Sequence, residues 1–448
     1  MTPGLLKRLS PSDEVNRFAG QAEKRKLSGF HTSAMNLAIV NIGQLVTLAG
    51  PARPRVGKEL GELGIVDHAA LLIKDGRIVA AGAYAAIKEG IPSDAQRIDA
   101  EGCCVTPGFV DAHTHLVFAG NRAAEFEQRI GGATYQQIAA AGGGILRTVA
   151  LTRTADEDEL LVAARRHRDW MLRSGTTTLE AKSGYGLDRA TELKMLRVLE
   201  LLDQEGPVRI IPTLLAAHTM PAEFSGRRAA YVRFIAEDLI PEVASQQLAR
   251  YCDVFCDDHA FTVEECRTVL TAARSLGLGL RIHAEQFRPG TGAALAAELA
   301  AATADHLETI EEETLDKLRA ANVQPVLLPG SVFCLQRTQY PPARAMVEAG
   351  LGIVLATDFN PGSSPVPSMP FMLSLACLQM GLTPAEALTA ATINAACSLG
   401  LGGHIGSLEV GKQADLLIHG CTDYRELAYF VAAPLRPRVF IAGREFSA

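Results

Sequence analysis

Eight apolar segments alternate with stretches of helical character through the middle of the chain, from about residue 106 to residue 401. They read GFVDAHTH, GTTTLEAKSG, VRIIPTLLAAH, CDVFCDD, GLGLRIHAE, AATADHLE, QPVLLPG and LGIVLATDFN. Strands that are apolar throughout and alternate with helices are typical of parallel sheets covered by helices. Eight such units predict an α/β fold, a (β/α)8 barrel of the TIM type.

The two ends of the chain share a different pattern. Short apolar strands broken by Asp-Gly and Glu-Gly fill residues 35–105, where KDGR is typical of a hairpin turn, and similar strands return in residues 402–448. We therefore predict a small β-sandwich domain built from both ends, flanking a barrel formed by residues 106–401. Residues 1–34 are polar and mixed in charge. We expect them to be a disordered extension or a short helix, or to precede a natural start at Met35.

Composition excludes several classes of function. The chain of 448 residues has a net charge of −7 and no stripe of Lys and Arg, which argues against a nucleic-acid partner. It contains no apolar run of membrane-spanning length and no secretory signal, so we expect no membrane partner. Its nine cysteines are scattered, and Cys252 and Cys256 lie in an apolar stretch. We interpret these two as buried thiols and expect a reducing compartment, the cytoplasm.

Polar side chains recur at the carboxyl ends of the predicted strands, the face of such a barrel that carries the chemistry. They are His113 and His115 after strand one, His218 after strand three, His283 on strand five, His306 on strand six and Asp358 after strand eight. Residues two apart on a strand point to the same side, so His113 and His115 can face one ion. Imidazole nitrogens with one carboxylate suit Zn²⁺ or Fe²⁺. Three histidines and one aspartate, with a position left for water, predict a hydrolytic metal centre.

The simpler interpretation is that these histidines are structural. A single histidine at a strand end is usually a hydrogen-bond partner, and an HxH pair alone is only a moderate signal. Five histidines and one aspartate at strand ends of one barrel favour the metal centre. We interpret the remaining histidines as surface or incidental residues: His31, His68, His167, His259, His404 and His419.

Several motifs together carry a family resemblance. PGFVDAHTH after a split β domain, HTHLVFAGNR, SGYGLD, IHAEQF, ADHLE and TDFNPGSSP extend from about Met35 to Gly411. The chain resembles the amidohydrolase superfamily and, within it, the imidazolonepropionase family. The resemblance implies a hydrolase that opens the ring of 4-imidazolone-5-propanoate with water, giving N-formimidoyl-L-glutamate in L-histidine degradation. Residues 1–34 fall outside it, which favours Met35 as the natural start.

The resemblance also implies residue roles. The metal ligands would be His113, His115, His283 and Asp358, and the positions that match substrate contacts are Arg122, Tyr185, His218, Gln286, Asn360, Gly362 and Ser363. Some relatives carry Glu at position 286; Gln cannot take up a proton, so the resemblance does not extend to a base role there. Many amidohydrolases with two metal ions carry a carboxylated lysine at the end of strand four. Predicted strand four has no lysine here, and Lys182 follows strand two instead, so the resemblance favours one metal ion, Zn or Fe. The family also implies a homodimer.

The expected mechanism starts from metal-activated water, with Asp358 accepting its proton and returning it to the leaving ring nitrogen. His306 would stabilise the developing oxyanion, and the residues alone leave the reverse assignment of these two roles open. Arg122 is the expected partner of the propanoate carboxylate.

One alternative function is that of another mononuclear amidohydrolase that acts on a cyclic amide or amidine, such as a heterocycle deaminase. The other is a non-catalytic barrel, which the retained ligand set disfavours.

Overall fold

The computed structural model describes residues 36–133, 137, 142–257 and 260–446. These residues form sixteen strands in two eight-stranded sheets. The strands are β1 (Asn36–Val46), β2 (Ile65–Lys74), β3 (Arg77–Ala83), β4 (Gln96–Asp99), β5 (Cys104–Pro107), β6 (Phe109–Asp111), β7 (Thr176–Lys182), β8 (Arg209–Ala217), β9 (Tyr251–Cys256), β10 (Gly279–Ala284), β11 (Thr303–His306), β12 (Gln324–Leu327), β13 (Val354–Leu355), β14 (Leu416–Ile418), β15 (Arg438–Ile441) and β16 (Arg444–Phe446). The predicted extension, residues 1–34, lies outside the described residues, as do His31 and His259.

Helices connect most of these strands. The α-helices are α1 (Tyr84–Ile87), α2 (Ala123–Ile130), α3 (Ile145–Thr154), α4 (Glu157–Arg173), α5 (Arg189–Glu205), α6 (Arg228–Arg233), α7 (Ile240–Ser245), α8 (Val263–Ser275), α9 (Gly292–Glu298), α10 (Glu312–Ala320), α11 (Pro329–Cys334), α12 (Ala343–Glu348), α13 (Met369–Met380), α14 (Pro384–Ala390), α15 (Ile393–Ser398) and α16 (Glu426–Tyr429). A π-helical segment, Phe234–Leu239, joins α6 to α7. Within the described part of the chain, no helix is both long enough and apolar enough to cross a lipid bilayer.

The first sheet combines both ends of the chain, as predicted. Its strands follow the order β16-β15-β14-β5-β1-β2-β3, with β4 paired to β1. The predicted hairpin at KDGR joins β2 to β3 through Asp75 and Gly76, and both residues have positive φ, at 50° and 77°. This is the backbone of a type I′ turn, whose twist matches the flanking strands. Side chains from β1, β2, β14 and β15 form a separate apolar core for this sheet.

The second sheet is the predicted barrel. Its eight strands run in chain order from β6 to β13, and every neighbouring pair is parallel. Just beyond the last residues of β6 and β13, a parallel bridge between Thr114 and Phe359 closes the circle. All eight predicted strands are therefore confirmed, and the fold is a TIM barrel with a second sheet domain.

The passage from the first sheet into the barrel is short. A single residue, Gly108, separates β5 from β6, and its N–H donates to the carbonyl oxygen of Asp415 at 3.0 Å. A Cβ atom at Gly108 would lie 2.3 Å from Oγ1 of Thr177. Only glycine fits this approach, which fixes the start of β6 and the residues that follow it relative to the barrel.

The helices that cover the barrel begin where polar side chains can cap them. Asp156 accepts a hydrogen bond from the N–H of Glu159 at the start of α4, and Thr262 caps α8 through Glu265 in the same way. Each cap satisfies backbone donors that a helix start leaves free. The helices pack their apolar faces onto the strands in one continuous core, which includes the free, buried Cys252 and Cys256. The interpretation of these two residues as buried thiols is confirmed.

Two histidines that we interpreted as surface or incidental residues are buried, so a surface position is wrong for both. His167 on α4 is 2% exposed, and its ring stacks on Phe118 at a centroid distance of 4.4 Å. Its Nδ1 atom lies 2.9 Å from the carbonyl oxygen of Leu116. His419 is also 2% exposed and contacts Oγ1 of Thr106 at 2.8 Å. Both are structural partners within the core.

Candidate metal centre

The seam between the first and last barrel strands positions three of the predicted ligands. The N–H of Asp358 donates to the carbonyl oxygen of His113 at 3.0 Å, and the N–H of His115 donates to that of Phe359 at 2.8 Å. Oδ1 of Asp358 lies 3.6 Å from Nε2 of His113 and 3.4 Å from Nε2 of His115. These three residues are almost completely buried and form a group that could hold a metal ion.

Two histidines from strands on another side of the barrel complete the cluster. The ring of His283, on β10, lies 4.5 Å from that of His113, and the ring of His306, at the end of β11, lies 5.3 Å from that of His283. His113, His283 and His306 form a second group able to hold an ion, so the two groups share His113. The structure thus brings all four sequence-predicted ligands together, with His306 beside them.

The unpartnered ring nitrogens fit a metal ion. Nε2 of His113 and Nε2 of His283 are buried and have no hydrogen-bond partner among the described residues. The opposite nitrogens are held by carboxylates: Nδ1 of His113 lies 2.6 Å from Asp305, and Nδ1 of His283 lies 3.1 Å from Asp253. A carboxylate that accepts the Nδ1 proton leaves Nε2 as a lone-pair donor, which is the usual arrangement of metal-bound histidine.

The electrostatics of the cluster favour the protonation states that bind metals. Burial lowers the pKa of His113 well below its usual value, and the charge of Lys182 adds to the effect. Burial also lowers the pKa of His283, although Asp253 opposes it. Burial alone would raise the pKa of Asp358, but the hydrogen bond to His115 and the neighbouring histidine charges bring it below its usual value. Neutral imidazoles and an ionised carboxylate are the forms that ligate metal ions.

His306 has a different environment from the other histidines. Its Nδ1 atom lies 3.3 Å from Oε1 of Glu308, which is itself 3% exposed. Burial would lower the pKa of His306, but the charge and hydrogen bond of Glu308 outweigh it and raise the pKa above its usual value. Of His113, His283 and His306, only His306 thus has surroundings that favour its protonated form. The sequence analysis did not single out Glu308.

Buried charged residues lie next to the ligands, and the sequence analysis named only Lys182 among them, without expecting its burial. They form the buried ion cluster, whose members are all 0% exposed: Glu180, Lys182, Asp253, Arg281 and Asp305. All five lie on barrel strands, on β7, β9, β10 and β11. A signal was available, because charged residues inside strands that are otherwise apolar are rarely buried without partners.

The backbone at the cluster adopts uncommon conformations. Asp358 has φ of 54°, and the consecutive residues His306 and Leu307 have φ of 80° and 68°. Non-glycine residues rarely occupy this left-handed region, and such residues concentrate at functional sites. The two expected proton-transfer residues, Asp358 beyond β13 and His306 at the end of β11, thus have strained but defined backbone conformations.

An arginine with an unused donor lies against the loop that follows Asp358. A Cβ atom at Gly362 would lie only 1.3 Å from Nη2 of Arg122, so the guanidinium packs directly on the glycine backbone. Nε of Arg122 is buried and has no hydrogen-bond partner in the described part of the chain, and Nη1 is 3.8 Å from Glu125. A half-buried guanidinium with a free Nε donor has the chemistry to pair with a carboxylate.

Asn360 braces this loop. Its Oδ1 atom accepts hydrogen bonds from the N–H groups of Gly362 and Ser363, each at 2.8 Å, and its Nδ2 atom donates to Oγ of Ser363 at 2.9 Å. Nδ2 also donates to the carbonyl oxygen of Asp358 at 2.7 Å. The side chain of Asn360 therefore fixes the loop relative to Asp358.

Aromatic side chains form one wall beside His115. The ring of His218 stacks on that of His115 at 5.1 Å, and the ring of Tyr185 lies 5.9 Å from His115 and 5.4 Å from His218. Burial raises the pKa of the Tyr185 hydroxyl, and the charges of Arg122 and Asp358 act on it in opposite directions, so this tyrosine lies near both residues. Tyr185 and His218 are thus brought to the site, as predicted.

Gln286 lies three residues beyond His283 and is almost completely buried, at 6% exposure. The side-chain Nε2 atom of Gln286 approaches Oγ of Ser331 at 3.4 Å. Its backbone carbonyl oxygen accepts a hydrogen bond from Nη1 of Arg337 at 2.8 Å. Its position is therefore held from the α11 side of the barrel mouth.

Comparisons with known proteins show which family the chain resembles. The profile of the amidohydrolase family matches residues 104–443. The chain is 54% identical over 407 residues to an imidazolonepropionase of Solibacter usitatus. The aligned residues cover 91% of this chain and 97% of that protein. It is 45% identical over 413 residues to an imidazolonepropionase of Symbiobacterium thermophilum, and the aligned residues cover 92% of this chain and 97% of that protein. Among solved structures, an adenosine deaminase from Xanthomonas campestris with bound zinc has a similar fold, with a TM-score of 0.62, 19% identity and 92% coverage of both chains.

Proposed function

The chain belongs to the amidohydrolase family and, within it, to the imidazolonepropionases, and we propose that it opens the ring of 4-imidazolone-5-propanoate with water. The product is N-formimidoyl-L-glutamate, a step of L-histidine degradation. The bond between the ring carbonyl carbon and its nitrogen breaks, the carbonyl carbon becomes a carboxylate, and both ring nitrogens stay in the product. No ammonia is released in this step, which distinguishes the reaction from that of a deaminase.

The guanidinium of Arg122 is the single observation that best supports this substrate. A free Nε donor, buried and packed on Gly362, offers a fixed positive charge for one carboxylate. The substrate carries one carboxylate, on its propanoate arm. A guanidinium pairs with a carboxylate through two parallel hydrogen bonds, which orients the substrate as well as holding it.

We propose one metal ion, Zn or Fe, held by His113, His115, His283 and Asp358. Amidohydrolases are metal-dependent, and the free Nε2 atoms of His113 and His283 support this ligand set. When bound, the metal lowers the pKa of its water towards ~7 and so supplies a nucleophile at neutral pH.

Asp358 and His306 carry the proton steps in this proposal. Asp358, ionised and next to two ligand histidines, accepts the proton of the attacking water. It then returns that proton to the leaving ring nitrogen, because water is a poor nucleophile and the ring nitrogen a poor leaving group without proton transfer. His306, whose partner Glu308 favours its protonated form, donates a hydrogen bond to the oxygen that gains negative charge.

The remaining residues bind and orient the substrate. Tyr185 and His218 form the wall beside His115, and Gln286 contributes its amide without taking part in proton transfer. In the loop of Asn360, Gly362 and Ser363, the N–H groups of Gly362 and Ser363 already donate to Asn360. The loop therefore contributes its close packing against Arg122 and the Ser363 hydroxyl, whose Oγ atom lies 3.5 Å from Oδ2 of Asp358.

The direct test is the loss of absorbance of freshly made 4-imidazolone-5-propanoate with purified protein. We expect loss of absorbance with formation of formimidoylglutamate, abolished by chelator and restored by Zn²⁺ or Fe²⁺. An ammonia assay on the same reaction should stay at background. Ammonia release would indicate a heterocycle deaminase, and no reaction by the metal-loaded protein would overturn the substrate assignment.

We also propose the organisation and setting of the protein. Residues 35–105 and 402–448 form one domain and residues 106–401 the other, supported by the two sheets and by an apolar core that belongs to the first sheet alone. A cytoplasmic location is supported by nine free cysteines.

A homodimer is supported by exposed apolar side chains near α13 and α16, with Leu378 at 66% and Tyr429 at 75% exposure. Light scattering after size-exclusion chromatography tests it, and a monomeric mass would contradict it.

A further inference from the structure

Lys182 is the member of the buried ion cluster that contacts most of the others. Its Nζ atom lies 2.8 Å from Oε1 of Glu180, 2.8 Å from Oδ2 of Asp253 and 3.9 Å from Oδ2 of Asp305. The side chains of all four residues are 0% exposed. One ammonium group thus lies among three carboxylates that come from three different barrel strands.

Two of those carboxylates hold metal ligands. Asp253 contacts Nδ1 of His283, and Asp305 contacts Nδ1 of His113. The two histidines come from β10 and from the end of β6, so Lys182 connects supports of ligands that are far apart in the barrel order.

We propose that Lys182 is a positioning residue for the metal centre: its charge holds Asp253 and Asp305 in place, and these hold His283 and His113 with their Nε2 atoms free. The proposal rests on the proposed function as a metal-dependent hydrolase. Removing one charge from a buried network leaves its partners uncompensated, which is more disruptive than removing a surface charge. The carboxylates then repel one another and lose their fixed positions against the histidines.

The two histidines depend on Lys182 to different degrees. Asp305 has a second cation nearby, since Nη2 of Arg281 lies 3.7 Å from its Oδ2 atom. Nη2 of Arg281 also donates to the carbonyl oxygen of Ala112 at 2.8 Å, next to His113 in the chain. For Asp253, Lys182 is the closest cationic side chain, at 2.8 Å. Loss of the lysine therefore affects His283 more than His113.

The test measures metal binding directly. The Zn²⁺ affinity of the full-length apoprotein is measured by competition with a chromophoric chelator, and the visible absorption of bound Co²⁺ reports the ligand geometry. For K182M we expect a 10- to 100-fold weaker Zn²⁺ affinity, the usual effect of losing a group that supports a ligand, and an altered Co²⁺ spectrum. Because Asp253 acts through the same contact, the affinity of K182M/D253N should be close to that of D253N alone.

Lys412 offers a matched control. It is another buried lysine, 7% exposed, whose Nζ atom donates to the carbonyl oxygen of Gly402 at 2.7 Å and lies 3.2 Å from Glu409. Substitution K412M removes a buried ammonium outside the barrel cluster. We expect it to reduce the stability of the fold and to leave Zn²⁺ affinity and the Co²⁺ spectrum unchanged.

Zn²⁺ affinity of K182M within twofold of the wild type, or a loss no larger than that of K412M, would overturn the proposal. If K182M does not fold, the Zn²⁺ affinity of K182Q is compared with that of the wild type instead, because glutamine lacks the charge but retains a hydrogen-bond donor. The readout is separate from turnover. Tight Zn²⁺ binding without hydrolysis of the imidazolone would refute the proposed function alone, whereas a wild type that binds no metal would refute both.

Discussion

Asp358 and His113 are joined twice: the backbone N–H of Asp358 donates to the carbonyl oxygen of His113 at 3.0 Å, and Oδ1 of Asp358 lies 3.6 Å from Nε2 of the same histidine. The first bond belongs to the seam that closes the barrel, and the second contact belongs to the metal cluster. The residues that close the barrel therefore also form the metal cluster. Substitutions at the site should leave the backbone hydrogen bonds of the seam intact.

Substitution D358N keeps the backbone hydrogen bond and removes the proton acceptor. Because proton transfer by a positioned side chain contributes roughly 10²- to 10⁴-fold to rate, we expect kcat to fall by about that factor. Steady-state kinetics on the metal-loaded variant is the measurement, and D158N, at an exposed aspartate of α4, is the control. Substitution H306Q should lower kcat less than D358N. The opposite ranking would assign the proton shuttle to His306.

Substitution R122M removes the proposed partner of the propanoate carboxylate. A hydrogen-bonded charge pair contributes about 1.5–3 kcal/mol, so KM should rise by roughly 10- to 100-fold with little change in kcat. Arg197 pairs with Glu157 on the surface at 3.3 Å, and R197M should leave both constants unchanged. An unchanged KM in R122M would move the carboxylate site elsewhere.

Substitution G362A tests the contact between the loop and the guanidinium. Its Cβ would overlap Nη2 of Arg122, so the guanidinium must move and KM should rise, as in R122M. Because both substitutions act on one contact, the double variant should be little worse than either alone. At Gly403 a Cβ would have no neighbour within 4 Å, and G403A serves as the control. Additive effects of R122M and G362A would contradict a shared role.

Metal binding should stabilise the folded protein. A ligand that binds only the folded state at about 100 times its Kd adds ~2.7 kcal/mol to the free energy of unfolding. We expect that shift in urea unfolding when Zn²⁺ is added to the apoprotein, and its absence in H283A. The exposed His68 gives the control variant H68A, which should respond to Zn²⁺ like the wild type. A full shift in H283A would exclude this histidine as a ligand.

His167 should make stability depend on pH. Burial lowers its pKa to about 4, so the unfolded chain binds more protons than the folded one between pH 4 and the ordinary value near 6.5. Stability from this residue is therefore complete above about pH 6.5 and is lost as the pH falls towards 4, by on the order of 3 kcal/mol. Urea unfolding of wild type and H167F, which keeps the stacking on Phe118, isolates the contribution. Parallel pH curves for the two proteins would contradict it.

The sequence was sufficient to predict the barrel and the cluster of polar side chains at its mouth. Strand and helix periodicity predicted all eight strands, and residues at strand ends must meet because parallel strands share one carboxyl edge. This argument selected five histidines and Asp358 at strand ends, and the family resemblance then singled out His113, His115, His283 and Asp358, which the structure brings together. Glycine and asparagine in TDFNPGSSP also matched the loop that packs on Arg122.

The supports of the ligands were not predictable from local pattern. Asp305 contacts His113 across the barrel, although β11 and β6 are not neighbours in the sheet. That pairing depends on the tilt and stagger of the closed barrel, which no single segment encodes. His167 is different, because it lies three residues after Ala164 and four before Met171 on the buried face of α4, so helical periodicity could have indicated its burial.

The closing bridge between Thr114 and Phe359 also has a consequence for biosynthesis. A nascent chain presents the HTH motif early and Asp358 only after nearly all of the barrel has been made. Until the eighth strand leaves the ribosome and pairs with the first, the ligands lack their carboxylate and their final geometry. The proposed set of four ligands is thus complete only in chains whose barrel is closed, and we expect truncated products of translation to lack the Asp358 carboxylate at this site.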